Sequence, residues 1–161
     1  MGWRFPVLTD KDLLTWRVIN TLLGAGYSSL FNLELREKNS LTYTCRTAIN
    51  VYDGMGVFKL YLSAHVKELP KVIDIVEKII ADLASDSLDE NIFNEAVMRH
   101  AAGVVSKWSN PCETAPLLGH ALSRDGIVFD FAGYLAGLEK VSKTRAAELA
   151  NKWLNPVDRL V

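Results

Sequence analysis

Between Thr42 and Tyr52 apolar and polar residues alternate with a period of two. Tyr43, Cys45, Thr47, Ile49 and Val51 fall on one side of an extended strand, and Thr44, Arg46, Ala48 and Asn50 on the other. Asp53-Gly54 is a hairpin-turn signal, and Phe58, Leu60, Leu62 and Ala64 resume the alternation over 56–64. The pattern therefore predicts an antiparallel hairpin. From about Glu68 the period becomes 3.6. Leu69, Val72, Ile73, Val76, Ile79, Ile80 and Leu83 form one stripe, and Lys71, Asp74, Glu77, Lys78 and Asp82 the opposite face. That is an amphipathic helix packed on something apolar, most simply the hairpin, with Pro70 in its first turn. The run from Ser85 to Asn91 reads as the cap and start of a second long helix, which reaches about Trp108 before Ser109-Asn-Pro breaks it.

The same reading extends to both ends. Trp3 to Leu8 reads as a short strand. Thr9 then caps a helix, with Asp10 and Asp12 in its first turn and Leu13, Leu14, Val18, Ile19, Leu22 and Leu23 at helical spacing. Gly24 and Gly26 end that helix, because glycine accepts the left-handed backbone of a helix stop. Ser28 or Ser29 caps a second helix that runs through Leu30, Phe31, Leu33 and Leu35 to about Lys38, where Asn39 and Ser40 end it. The last third reads as helices over 112–124, 131–141 and 142–154, the first closed by Asp125-Gly126 and the last by Asn155-Pro156. Residues 157–161 read as the start of a strand. The order of elements is that of an α+β fold, an antiparallel sheet with its hairpin at the centre and several helices on one face.

The composition supports a folded domain of modest charge. The 161 residues carry 18 Lys+Arg against 19 Asp+Glu, so nothing in the charge favours a nucleic-acid partner. No apolar run approaches the roughly 18 residues of a membrane span. The first residues lack the apolar stretch of a secretory leader, which leads us to expect a cytoplasmic protein, or an excerpt whose targeting segment is missing. Cys45 and Cys112 are far apart and in no CxxC arrangement, as expected of two buried or half-buried thiols.

Three segments together resemble one family. They are Leu23-Gly-Ala-Gly26, Ser28-Ser29, and Leu35-Arg-Glu-Lys-Asn-Ser-Leu-Thr-Tyr43. The chain resembles the insulinase-like (pitrilysin-type, M16) zinc metallopeptidases, and the likeness extends through Leu138-Glu-Lys-Val-Ser-Lys-Thr144 to Trp153-Leu-Asn-Pro156. The resemblance implies the second half of one non-catalytic domain of such a protein, so that residues 1–161 form a single partial domain. It also implies that Arg36 and Tyr43 hold a peptide substrate, with Gly24 and Gly26 beside the cleft. The partner would be a catalytic domain or subunit carrying the zinc. A purely structural, inactive subunit scaffolding a complex is the alternative, and a half-domain with open strand edges could self-associate.

The residues themselves limit this reading. The family's zinc motif is His-x-x-Glu-His, and here the nearest match, His65-Val-Lys-Glu68-Leu69, ends in leucine. No two of His65, His100 and His120 stand three or four apart, so the expectation is no metal and no catalytic residue in this chain. His100 and His120 read as helix-surface residues or partners in local hydrogen bonds. An arginine fork can grip peptide carbonyls or a carboxylate, and a tyrosine hydroxyl can donate to a developing oxyanion. Taken without the family, Arg36 could equally form an ion pair at its helix end, and Tyr43, alternating with Cys45 and Ile49, could be core. Glu37 could orient Arg36 or face solvent. Gly24-Ala-Gly26 lacks the full spacing of a phosphate loop. Trp108, Phe131 and Trp153 read as core or interdomain packing.

Overall fold

The structure is a computed structural model that describes residues 1–6, 10–52, 55–125, 129–157 and 159–160, without the side chains of Asp10, His120, Arg124 and Asp125. The Thr9 cap, the Asp53-Gly54 turn and the Gly126 stop lie outside the described residues. Three antiparallel strands, β1 (Gly2–Pro6), β2 (Thr42–Tyr52) and β3 (Met55–Ala64), form one sheet in the order β1-β3-β2. The hairpin register pairs Cys45 with Leu62, Thr47 with Leu60 and Ile49 with Phe58, while Trp3 faces Phe58 from the other side. Gly2 and Leu160 exchange backbone hydrogen bonds, the bridge that the described residues of the expected terminal strand make with β1.

Alternation sorts the sheet into two faces. One buries Trp3, Phe5, Phe58, Leu60 and Cys45, and the helices cover it. Helix α1 (Asp10–Leu23) lays Trp16, Ile19, Leu22 and Leu23 on this face. Trp16 stacks on Phe5 with ring centroids 4.4 Å apart. Fully burying each large apolar side chain stabilises the fold by roughly 1.5–3 kcal/mol, so this cluster supplies much of the core.

Helix α2 (Leu69–Ala84) buries Val72, Val76, Ile80 and Leu83, four residues of the expected stripe, whereas Leu69 at its start is exposed. Its main neighbour is α6 (Lys143–Trp153) rather than the hairpin, because α1 already occupies the middle of the sheet. Helix α3 (Glu90–Trp108) starts where Asp89 accepts a hydrogen bond from the Asn91 N–H at 2.7 Å and packs mainly on α1. Helices α4 (Pro111–Asp125) and α5 (Phe131–Leu138) complete the layer, with Trp108 stacked on Phe131 at 4.5 Å. Ser142 caps α6 by accepting from the Arg145 N–H. Arg145 in turn donates to Asp12 of α1 at 2.7 and 2.9 Å, tying the last helix to the first.

Two sequence expectations need correction here. Cys112 is exposed, and only Cys45 is buried. His100 bonds not to local groups but across the fold. Its Nδ1 lies 3.0 Å from Thr21 Oγ1 of α1, and its Nε2 lies 2.9 Å from the Tyr134 hydroxyl of α5. Thr21 Oγ1 donates to the Arg17 carbonyl, so it accepts from Nδ1–H, which leaves Nε2 to accept from Tyr134. Burial first, then the charges of Arg17 and Lys107, lower the His100 pKa to about 4.

Candidate functional site

The chain leaves α1 at Gly24 in a turn pressed against β2. A Cβ on Gly24 would lie 2.4 Å from Thr47 Cγ2 and 2.9 Å from the Thr47 nitrogen, so only glycine fits. The close approach lets the Gly24 carbonyl accept from the Thr47 N–H at 3.3 Å, while Thr47 Oγ1 donates to the Asn20 carbonyl at 3.1 Å. Gly26 has φ +97°, a left-handed value that favours glycine. Ser29 donates its hydroxyl to the Gly26 carbonyl at 2.7 Å.

The next helix differs from the expectation in kind. Residues 32–38 form a π-helix, Asn32–Lys38, rather than a continued α-helix. Its wider turn closes with the Leu41 N–H donating to the Leu35 carbonyl and the Asn39 side chain donating to the Glu34 carbonyl. Asn32 lies buried in the apolar stripe. Its amide stands 3.1 Å from the Gly26 carbonyl, 2.9 Å from Ser29 Oγ and 3.0 Å from the Cys45 carbonyl. One side chain thus joins the glycine turn, the helix start and the edge of β2.

Tyr43 does not share the face of Cys45. The register shifts between Thr42 and Thr44, a bulge that places two consecutive outward residues, Tyr43 and Thr44, between the buried Thr42 and Cys45. The Thr42 hydroxyl steadies this bend between the carbonyls of Thr44 (2.8 Å) and Ser63 (2.6 Å). As a result Tyr43 is 84% exposed, and the core reading of this residue is overturned.

Arg36 comes off the π-helix facing Tyr43. Its guanidinium carbon lies 5.5 Å from the centroid of the Tyr43 ring and 5.2 Å from that of Tyr27, which is itself 76% exposed. Its Nε also lies 3.5 Å from Glu37 Oε1, so Glu37 is an ion-pair partner of Arg36. This contact sits near the surface and leaves much of the fork open. Arg36, Tyr43, Gly24 and Gly26, the four residues singled out from the sequence, line one open cleft of about 310 Å³. Ala25, Tyr27, Asn32, Thr44, Cys45 and Arg46 complete its wall. Sequence reasoning missed Tyr27 and Asn32. The one signal for Asn32 was a polar residue inside the apolar run Leu30 to Leu35.

His65 and His100 are held by other partners and do not meet at a metal centre. Both His100 ring nitrogens are engaged, and His65 Nδ1 accepts from the Lys67 N–H. Among the described residues no three His, Cys, Asp or Glu side chains converge to hold a metal ion. The described residues therefore offer zinc no set of ligands. Among the described residues, no helix is long and apolar enough to cross a membrane.

Fold and cleft define a class: a helix-backed antiparallel sheet whose edge carries an arginine–tyrosine cleft. The family described as the peptidase M16 inactive domain matches residues 1–99, and the chain belongs to that family. An uncharacterised zinc protease of Mycobacterium leprae is 22% identical over 155 residues, covering 96% of this chain and 35% of that protein. A second, from Streptomyces coelicolor, is 29% identical over 94 residues, which are 57% of this chain and 20% of that protein. The fold superposes on a protease from Helicobacter pylori with a TM-score of 0.82 at 19% identity, covering 98% of this chain and 38% of that one. A Bordetella parapertussis chain solved as an inactive peptidase domain gives 0.75 at 13% identity, covering 99% of this chain and 87% of that one. The chain thus spans about a third of the M. leprae relative and a fifth of the S. coelicolor one.

Proposed function

We propose that this chain is the substrate-holding, non-catalytic part of a zinc metallopeptidase that acts on peptides or small unfolded proteins. The zinc and the bond cleavage belong to another domain or subunit of the parent protein. One observation carries this reading: the bulge at Tyr43 turns an otherwise core-facing ring outward, into the same cleft as the Arg36 guanidinium. A buried tyrosine and a fully ion-paired arginine would be structural. An exposed pair in an open cleft is available to a ligand.

The roles follow from the chemistry. Arg36 presents fixed N–H donors to peptide carbonyls or a carboxylate. The Tyr43 hydroxyl donates to the carbonyl oxygen of a peptide lying across the cleft, a bond that strengthens as negative charge develops there. The glycine turn lets a peptide backbone approach, since Gly26 projects no side chain and has open space beside it.

The test is turnover of the parent protein with Arg36→Ala and Tyr43→Phe, assayed beside the wild type. The reading predicts that Tyr43→Phe lowers kcat and Arg36→Ala raises KM, with assembly intact. Unchanged turnover in both would favour a scaffold. Chelator-sensitive peptide cleavage by the 161-residue chain alone would also contradict the proposal.

A further inference from the structure

The sheet face turned away from the helices carries positive charge only. Among them β1, β2 and β3 contain no Asp or Glu, although the whole chain has slightly more acids than bases. Their three cations, Arg4, Arg46 and Lys59, all sit at positions opposite in phase to the buried Phe5, Cys45, Phe58 and Leu60. Arg4 and Arg46 are exposed and Lys59 half-buried.

The register puts the three on one line. Lys59 pairs with Ala48 on one side and Gly2 on the other, whereas Arg46 pairs with Tyr61 and Arg4 with Val57. Arg46 and Arg4 are therefore the diagonal neighbours of Lys59 on its two flanks, each about 7–8 Å away and together spanning roughly 15 Å. Arg46 also lies over the ring of its cross-strand partner Tyr61, 5.7 Å from the centroid, and lines the Arg36–Tyr43 cleft. The cationic line thus starts in the cleft and leaves it across the open sheet.

We propose that this face takes an extended acidic peptide, one with Asp or Glu at alternate positions downstream or upstream of the segment held by Arg36 and Tyr43. Alternate side chains of an extended strand recur at about 7 Å on one face, which matches the diagonal spacing of the cations. With no carboxylate on the strands, the cations have no competing partner within the sheet. The inference rests on the peptide-holding reading above and adds a substrate class to it.

The experiment is fluorescence anisotropy of the 161-residue chain with three labelled decapeptides in which Thr alternates with Glu, Gln or Lys. The Glu peptide is expected to bind about tenfold more tightly than the Gln peptide at low salt, with the advantage lost near 0.5 M salt as screening rises. Arg46→Glu with Lys59→Glu should reverse the order in favour of the Lys peptide, and Arg46→Gln with Lys59→Gln should abolish it. Both pairs lie outside the core, and circular dichroism checks their folding. Equal affinity for the Glu and Gln peptides, or an unchanged Glu preference in the reversed variant, would overturn the inference. If all three peptides bind alike and Arg36→Ala weakens all three, only the charge inference falls. If none binds, it falls together with the peptide-holding reading.

Discussion

The guanidinium of Arg36 stands 5.5 Å from the ring centroid of Tyr43, and that contact exists because β2 gains one residue just before Cys45. Without the bulge, strict alternation would turn the Tyr43 ring toward the covered side of the sheet. The cleft is therefore a product of a backbone irregularity as much as of the two side chains.

Thr42→Val tests the bulge. It removes the hydroxyl between the Thr44 and Ser63 carbonyls while keeping the shape of this buried residue. We expect a loss of about 1–2 kcal/mol in urea unfolding. Peptide affinity should fall with it, because Tyr43 is no longer held outward.

Gly24→Ala and Gly26→Ala separate contact from conformation. At position 24 the new methyl meets the Thr47 backbone, which cannot yield without moving β2, so a loss of about 2–3 kcal/mol is expected. Position 26 has open space and only its positive φ to oppose the methyl, so the cost is about 1–2 kcal/mol. Thermal unfolding of the two variants checks the order.

Asn32→Leu keeps the volume but takes the amide donor from the Cys45 carbonyl and leaves the Gly26 carbonyl only its bonds from Ser29. A destabilisation of about 1–3 kcal/mol is expected. Amide hydrogen exchange should quicken in residues 24–29 and 43–46 more than in α2 or α6, because Asn32 joins those segments.

The His100 network predicts a pH dependence. Its folded pKa of about 4 lies below the ordinary 6.5, so between these values the unfolded chain binds more protons than the folded one. Stability from this group is complete above pH 6.5 and is lost as pH falls toward 4, by up to about 3 kcal/mol. Urea midpoints measured across that window should fall with pH in the wild type. The slope should flatten in His100→Gln, which has no charge to gain.

The regular part of the fold was legible because burial imposes periods. The hairpin and the long helices appear within a residue or two of where alternation and the 3.6 spacing put them, as with Thr42–Tyr52 and Leu69–Ala84. The core side of the first helix was equally visible in Val18, Ile19, Leu22 and Leu23. What stayed hidden departs from a period or depends on distant chain. The bulge breaks the alternation at Tyr43, and the period-two reading placed that ring on the wrong face. The π-helix keeps an apolar stripe that an α-helix would share. His100 meets partners 79 and 34 residues away, which no local pattern encodes. Arg36, Gly24 and Gly26 were singled out through a family likeness, and their convergence on one cleft needed the three-dimensional register.

The most direct test of the peptide-holding role is a titration of one labelled, extended, uncharged decapeptide with the wild-type chain, Arg36→Ala and Tyr43→Ala, each at matched folded fraction. The account predicts saturable binding to the wild type and about tenfold weaker binding in each variant, a loss of about 1.4 kcal/mol, with melting temperatures nearly unchanged because both side chains reach into an open cleft. Equal affinity in all three proteins would contradict it.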